Sequence, residues 1–223
     1  MAQKSSLSTL LGKWNEGERG TDDRYTPPWL VDLAASVMGE IDLDPCAEPE
    51  KRVPATTHFT KEVDGLEQAW KGRVFLNPPY SNATQWFKHL AVYVAAEEVT
   101  EAVVLVPVTA LGTRGAGFLM KGTASAMTIL NRRVNFLDEN HQERDGYLPI
   151  PVCLVYVGNN HARFLDITAP YGYGATLVSQ KPHHKHKQCQ YCGKTFLAQR
   201  STAKFCGSTC RVLSHRKSNA MNS

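Results

Sequence analysis

Four consecutive residues, Asn77-Pro78-Pro79-Tyr80, are where chemistry is most concentrated in the chain. They offer a carboxamide oxygen at Asn77, a carbonyl at Pro78 and an aromatic face at Tyr80. The two prolines fix φ and remove two backbone donors, so the carbonyls there are held stiffly. Two acceptors beside a flat surface suit a planar heterocycle carrying an exocyclic amino group. A proline-rich turn between two elements is the competing reading. A second cluster lies in the basic tail: Cys189-x2-Cys192, thirteen residues, then Cys206-x3-Cys210. Two cysteine pairs at this spacing predict a structural Zn2+ site of four thiolates, with no open position for catalysis. The segment has few apolar residues and could hardly fold without the metal. Disulfides are the alternative there.

The elements that must position the first cluster follow from the apolar pattern. Val74-Phe75-Leu76 leads into Asn77, and a helical pattern follows from Asn82, with Gln85 completing a capping-box-like start. Trp86, Phe87, Leu90, Tyr93 and Val94 form one apolar face of that helix. A strand, a rigid elbow and a helix form the αβ arrangement whose strand C-terminal edge holds ligands. Upstream, Thr26 is placed to cap a helix that opens on proline, carries Leu30, Leu33, Ala34 and Val37 at helical spacing, and ends at Gly39. Ile41-Asp42-Leu43-Asp44 reads as a first parallel strand, stopped by Pro45. Thr57 to Thr60 is a short second strand. Asp64 lies 20 residues beyond Asp44; it is either the acid that binds ribose hydroxyls in αβ nucleotide folds or the start of an Asp64-Gly65-Leu66 turn. The run Ala102–Val108 suits a strand buried on both faces. Thr109 to Gly117 is a Gly-containing loop that sets Arg114 at the same edge as Asn77, beside the base or as a DNA contact. Ala126–Leu130 and Val152–Val157 are the last strands; Arg132, Arg133, Asn135, Phe136 and the polar loop Asp138–Tyr147 lie between them, either as DNA contacts or as a solvated loop. Cys46 reads as a small buried residue rather than a nucleophile, and His58 as a surface or strand residue.

Taken in order, these segments are Tyr25-Thr26-Pro27, Asp44-Pro45-Cys46-Ala47, Asp64-Gly65-Leu66 with Trp70, Asn77-Pro78-Pro79-Tyr80-Ser81, the Val-Pro strand and Arg133-Val134-Asn135-Phe136. Asn77–Tyr80 resembles the (D/N/S)-P-P-(Y/F) motif of amino methyltransferases. The ordered set, over roughly residues 22–160, is similar to the phage-type DNA N6-adenine methyltransferase (Dam) family. The resemblance implies an α/β, Rossmann-like sheet with helices on both faces that uses S-adenosylmethionine (SAM). It implies site-specific transfer of a methyl group to N6 of an adenine flipped out of double-stranded DNA. Asn77 and Pro78 would accept the amine hydrogens, Pro79 would stiffen the elbow and Tyr80 would stack on the base. Tyr25, Thr26 and Pro27 would line the methionine end of SAM. Asp44, in a turn with Pro45 and Cys46, would pair with its ammonium group, and Asp64 would take the ribose. One departure stands out: Glu48-Pro49-Glu50 replaces the usual glycines after that turn. The same four-residue motif serves N4 of cytosine, RNA adenine and protein glutamine. The departure also leaves open a DNA-binding regulator with an inert methyltransferase body.

Charge divides the chain. The 223 residues have a net charge of +4, yet Gln180–Ser223 holds nine Lys/Arg and no acid, leaving 16 basic and 21 acidic residues in 1–179. A mildly acidic body with a basic end predicts a catalytic domain plus a polyanion-binding module. The expected organisation is an arm at 1–20, a methyltransferase domain at 21–178, a linker at 179–188, a zinc module at 189–217 and a tail at 218–223. Within the module, Lys194, Arg200, Lys204, Arg211, Arg216 and Lys217 are candidate phosphate contacts, Phe196 and Phe205 a small core, and Ser208–Lys217 a helix. The module resembles small treble-clef or ribbon zinc modules. No stretch reaches the ~18 apolar residues of a membrane span, and the N-terminal residues lack a signal core. A soluble protein of the cytoplasm, in a bacterial host cell if phage-encoded, is the expectation.

Overall fold

Val103, Val104, Leu105 and Val106 are all fully buried, in the middle of a seven-stranded sheet. The structure is a computed structural model, and it describes residues 25–138, 140–143, 150–177, 185–198 and 202–220. The expected arm at 1–20, Arg200 and parts of the expected linker and tail lie outside the described residues. The chain divides into two units between Val178 and Ser179.

In the first unit the strands are β1 (Ile41–Asp44), β2 (Ala55–His58), β3 (Gly72–Leu76), β4 (Val99–Pro107), β5 (Ala126–Val134), β6 (Ile150–Val157) and β7 (Gly172–Thr176). Their spatial order is β2-β1-β3-β4-β6-β5-β7. Pairings from β2 through β4 are parallel, and those of β6 with β4 and β5, and of β7 with β5, are antiparallel. Strands β1 to β5 therefore run one way, and β6 and β7 the other. The order reverses between β1 and β3, which makes their C-terminal ends a topological switch point, the usual ligand site of an open α/β sheet.

The helices are α1 (Pro28–Met38), α2 (Ala83–Ala95), α3 (Gly117–Met120) and α4 (His161–Thr168). The strand period of two decides which layer each side chain joins. Phe75, Val103 and Leu105 pack with α1 and α4 on one face; Val74, Leu76, Val104 and Val106 pack with α2 and α3 on the other. The near-continuous apolar sequence of β4 is the signature of a strand covered on both faces. This is the expected α/β sheet with helices on both faces.

Local details differ from the sequence reading. Helix α1 does end at Gly39, whose N–H donates to Ala35 O at 2.7 Å, but no side chain caps its start, and the Thr26 hydroxyl is engaged elsewhere. Asn82 likewise makes no side-chain cap for α2. The second strand begins two residues earlier than predicted. Strand β5 continues past Leu130, so Arg132 and Arg133 sit on a strand rather than in a loop. An irregularity in its pairing with β6, between Ile129 and Arg133, accommodates the extension.

The second unit is a hairpin, β8 (Lys185–Gln188) against β9 (Thr195–Ala198), followed by α5 (Ser208–Ala220), three residues longer than expected. Gly193 turns the hairpin with φ of 71°, donating to Cys189 O at 2.9 Å, a conformation costly for residues with a Cβ. Among the described residues no helix is long and apolar enough to cross a membrane.

Candidate functional site

A cavity of about 790 Å³ lies at the C-terminal ends of β1 and β3. The residues before and at the start of α1, the turn after β1, the loop after β2 and the elbow after β3 supply most of its wall, with Phe75 of β3, Trp86 of α2 and His141 completing it.

The turn after β1 is fixed by Asp44, which is 4% exposed and accepts the Cys46 N–H at 3.1 Å. The bond closes an Asx turn at the end of the strand. Burial pushes the Asp44 carboxyl up to about 7; the Cys46 N–H opposes the shift and the nearby Glu48 charge adds to it. A carboxyl group in that position favours a cation as its partner. Burial, then the charges of Asp44 and Asp64, push the Cys46 thiol well above its ordinary value, so it is no nucleophile. Glu48, in place of the expected glycine, holds His141 Nε2 at 3.2 Å and Arg52 at 3.5 Å. It ties the turn after β1 to the chain beyond β5. Tyr25 stacks on the same His141 ring.

Asp64 is a turn residue, with φ of 50° and its carboxylate accepting the Leu66 N–H at 3.0 Å, and it also lines the cavity. The next residue shows why glycine stands there: a Cβ on Gly65 would come within 2.2 Å of Pro45 O. Trp70 anchors the turn from below, its indole N–H donating to Gly65 O at 2.7 Å. The Asp-Gly-Leu…Trp pattern is thus the device that presses the Asp64 turn against the Asp44 turn.

Asn77 lies on the cavity wall, and its Nδ2 donates to Thr26 Oγ1 at 3.0 Å. In that arrangement the amide nitrogen, not the oxygen, faces Thr26. Pro79 also lines the cavity. Pro78 is buried, and Tyr80 is half-buried against the α1-side core, its ring edge-on to Phe136 with centroids 6.2 Å apart. Neither Pro78 nor Tyr80 lines this cavity.

Of the residues singled out from sequence, Tyr25, Thr26, Asp44, Pro45, Cys46, Asp64, Asn77 and Pro79 meet on the one cavity, while Pro27 is buried just behind it. Arg114 and Arg133 are exposed elsewhere on the unit. Residues not foreseen as wall positions include Glu48, Arg52, Phe59, Lys61 and His141. The Glu-Pro-Glu departure marked Glu48; nothing in the sequence marked His141, which arrives from across the sheet. Asp32, Asp44, Glu48, Glu62 and Asp64 outnumber the Arg52 and Lys61 cations of the wall, and Val31, Phe59, Phe75 and Trp86 add apolar surface. A cationic ligand with a flat apolar part fits this lining.

In the second unit the sulfurs of Cys189, Cys192, Cys206 and Cys210 all lie within 4.8 Å of one another. Two of these separations are 3.7 and 3.5 Å. Tetrahedral Zn2+ with bonds near 2.3 Å needs sulfurs about 3.8 Å apart. The donor set and its spacing fit that ion. Lys194, Lys204, Arg211, Arg216 and Lys217 are exposed around it, and Phe196 and Phe205 are half-buried.

The sequence model of the family described as DNA N-6-adenine-methyltransferase (Dam) matches residues 15–157. The match spans the cavity walls and stops at the last residue of β6; the four cysteines lie outside it. No curated protein matches the chain at significant similarity.

Proposed function

Because the chain belongs to the DNA N-6-adenine-methyltransferase (Dam) family, we propose that it uses SAM to methylate adenine N6 at particular sites in double-stranded DNA, with the target base turned out of the stack. The observation that carries this reading is the Asn77 carboxamide, hydrogen-bonded to Thr26, on the wall of a cavity that also contains the buried Asp44.

The residues present fit the cofactor. Asp44 would pair with its ammonium group, Asp64 would take its ribose hydroxyls, and Tyr25, Thr26 and Pro27 would border its methionine end, with Pro45 and Cys46 shaping the turn. Glu48 does not obstruct this, because SAM has no phosphate that needs a glycine cradle. When bound, SAM supplies an electrophilic methyl group.

The chain's own contribution is placement and charge. The lone pair of adenine N6 is delocalised into the ring, so the amine is a poor nucleophile. Asn77 Oδ1 and the Pro78 carbonyl would accept hydrogen bonds from its two N–H groups and favour the tetrahedral geometry that the nitrogen takes up as it gains the methyl group, after which one N–H proton is released to solvent. Acceptors fixed where positive charge develops act as a preorganised electrostatic site. Tyr80 is assigned the stacking surface for the base; for that its contact with Phe136 must open. The cysteine cluster would hold a structural Zn2+, and the cations around it would grip phosphates, positioning the protein without reading sequence.

The test is transfer of a labelled methyl group from SAM to duplex DNA, followed by digestion to nucleosides and identification by mass. N6-methyldeoxyadenosine is expected. Label in N4-methyldeoxycytidine, or in protein rather than DNA, would overturn the assignment.

A further inference from the structure

Arg132 lies over the indole of Trp29, its guanidinium carbon 3.9 Å from the ring centroid. Tyr171 stacks on the same indole, with centroids 6.2 Å apart and planes 12° from parallel. Arg132 is exposed, and among the described residues no carboxylate pairs with it. The position matters as much as the contact. Strand β5 runs in the same direction as β1 and β3, so Arg132, two residues from its C-terminal end, sits at the sheet edge where Asp44 and Asn77 lie. Trp29 follows Pro28, which with Thr26 lines the cavity.

We propose that Arg132, steadied by Trp29, is a phosphate-binding point for the DNA duplex beside the cavity. A guanidinium over a ring keeps its N–H donors for another partner and loses less entropy on binding than a free side chain. A planar cation with five donors suits a phosphodiester. The occupant is backbone phosphate rather than a base, because the Trp29 indole already carries Arg132 and Tyr171. The inference depends on the reading of duplex DNA as substrate, and it adds a contact on the catalytic unit itself, separate from the cysteine module.

The test uses the full chain and a duplex oligonucleotide of arbitrary sequence, with affinity measured across a salt series. Arg132→Ala is compared with Arg132→Lys and with Lys71→Ala, which removes one exposed cation from the opposite sheet edge. One released phosphate contact lowers the slope of log affinity against log salt by about 0.9. Arg132→Ala is expected to show that loss with several-fold weaker binding, Arg132→Lys a smaller loss, and Lys71→Ala neither. A wild-type slope in Arg132→Ala, or equal losses in Arg132→Ala and Lys71→Ala, overturns the proposal. Nucleoside analysis of the same preparations keeps the two readings apart. If adenine is methylated and the slope is unchanged, only the phosphate contact fails. If the slope falls and no adenine product forms, only the assigned reaction fails.

Discussion

The amide nitrogen of Asn77 donates to the hydroxyl of Thr26 at 3.0 Å, across 51 residues of sequence. On the proposed reading the Asn77 oxygen must face the amine, and the bond to Thr26, which holds the carboxamide from its other end, makes Thr26 a positioning residue for that oxygen.

Thr26→Val keeps the shape and removes the acceptor, so it is expected to lower the rate of methyl transfer about tenfold, the size of one hydrogen bond. Thr26→Ser should retain most of the rate. Single-turnover kinetics at saturating SAM and DNA checks this. A fall confined to SAM affinity would return Thr26 to a purely cofactor-lining role.

The buried Asp44 carboxyl makes the ligand-free protein sensitive to pH. Its folded value, pushed up to about 7, lies above its unfolded value near 4. The stabilisation from its protonated form is therefore complete below pH 4 and is lost as pH rises through 7, with a slope of up to about 1.4 kcal/mol per pH unit. Melting curves of the ligand-free protein should show this loss, and Asp44→Asn should remove that part of the pH dependence. A cationic ligand favours the ionised form, so SAM should bind more tightly as pH rises through 7, with release of a proton. Identical pH profiles for wild type and Asp44→Asn would contradict the account.

Gly65→Ala drives a methyl group to within 2.2 Å of Pro45 O, where backbone on both sides resists. Overpacking of this kind costs roughly 1–3 kcal/mol, which corresponds to a fall in melting temperature of roughly 3–10 °C. Weaker SAM binding should accompany it, because the Asp64 and Asp44 turns are forced apart. Calorimetry and a SAM titration measure the two effects. A variant with wild-type stability and affinity would show that the close approach has no bearing on the site.

Much of this was legible in the sequence, for identifiable reasons. The uninterrupted run in β4 declared a strand covered on both faces, and Asp44 and Leu76 marked strand ends because proline or a polar elbow follows each. The cysteine spacing located four thiols that now cluster. The sequence misled where one residue had two available partners. Thr26 looked like a helix cap, yet its hydroxyl meets Asn77 instead. Nor did the sequence show the packing of Tyr80, whose ring rests edge-on against Phe136. His141 was invisible because its partner Glu48 is distant in sequence and joined to it only by the fold. Arg132 and Arg133 were assigned to a loop because their charge ends the apolar pattern, although the strand runs on.

Removing metal from the cysteine cluster should unfold β8, β9 and α5 while leaving the melting of the larger unit unchanged. A strong chelator, followed by circular dichroism, reads the loss of α5 helix, and metal analysis of the native protein should give one zinc per chain. Truncation after Val178 should lower DNA affinity and flatten its salt dependence. Equal salt slopes for the full and truncated chains would exclude the module as a phosphate grip.

The most direct measurement compares DNA from cells expressing the wild-type chain with DNA from cells expressing Asn77→Ala. The wild type should leave N6-methyladenine in the DNA; the variant should leave none, although the purified variant still binds SAM. N6-methyladenine at wild-type levels in the Asn77→Ala sample would contradict the account.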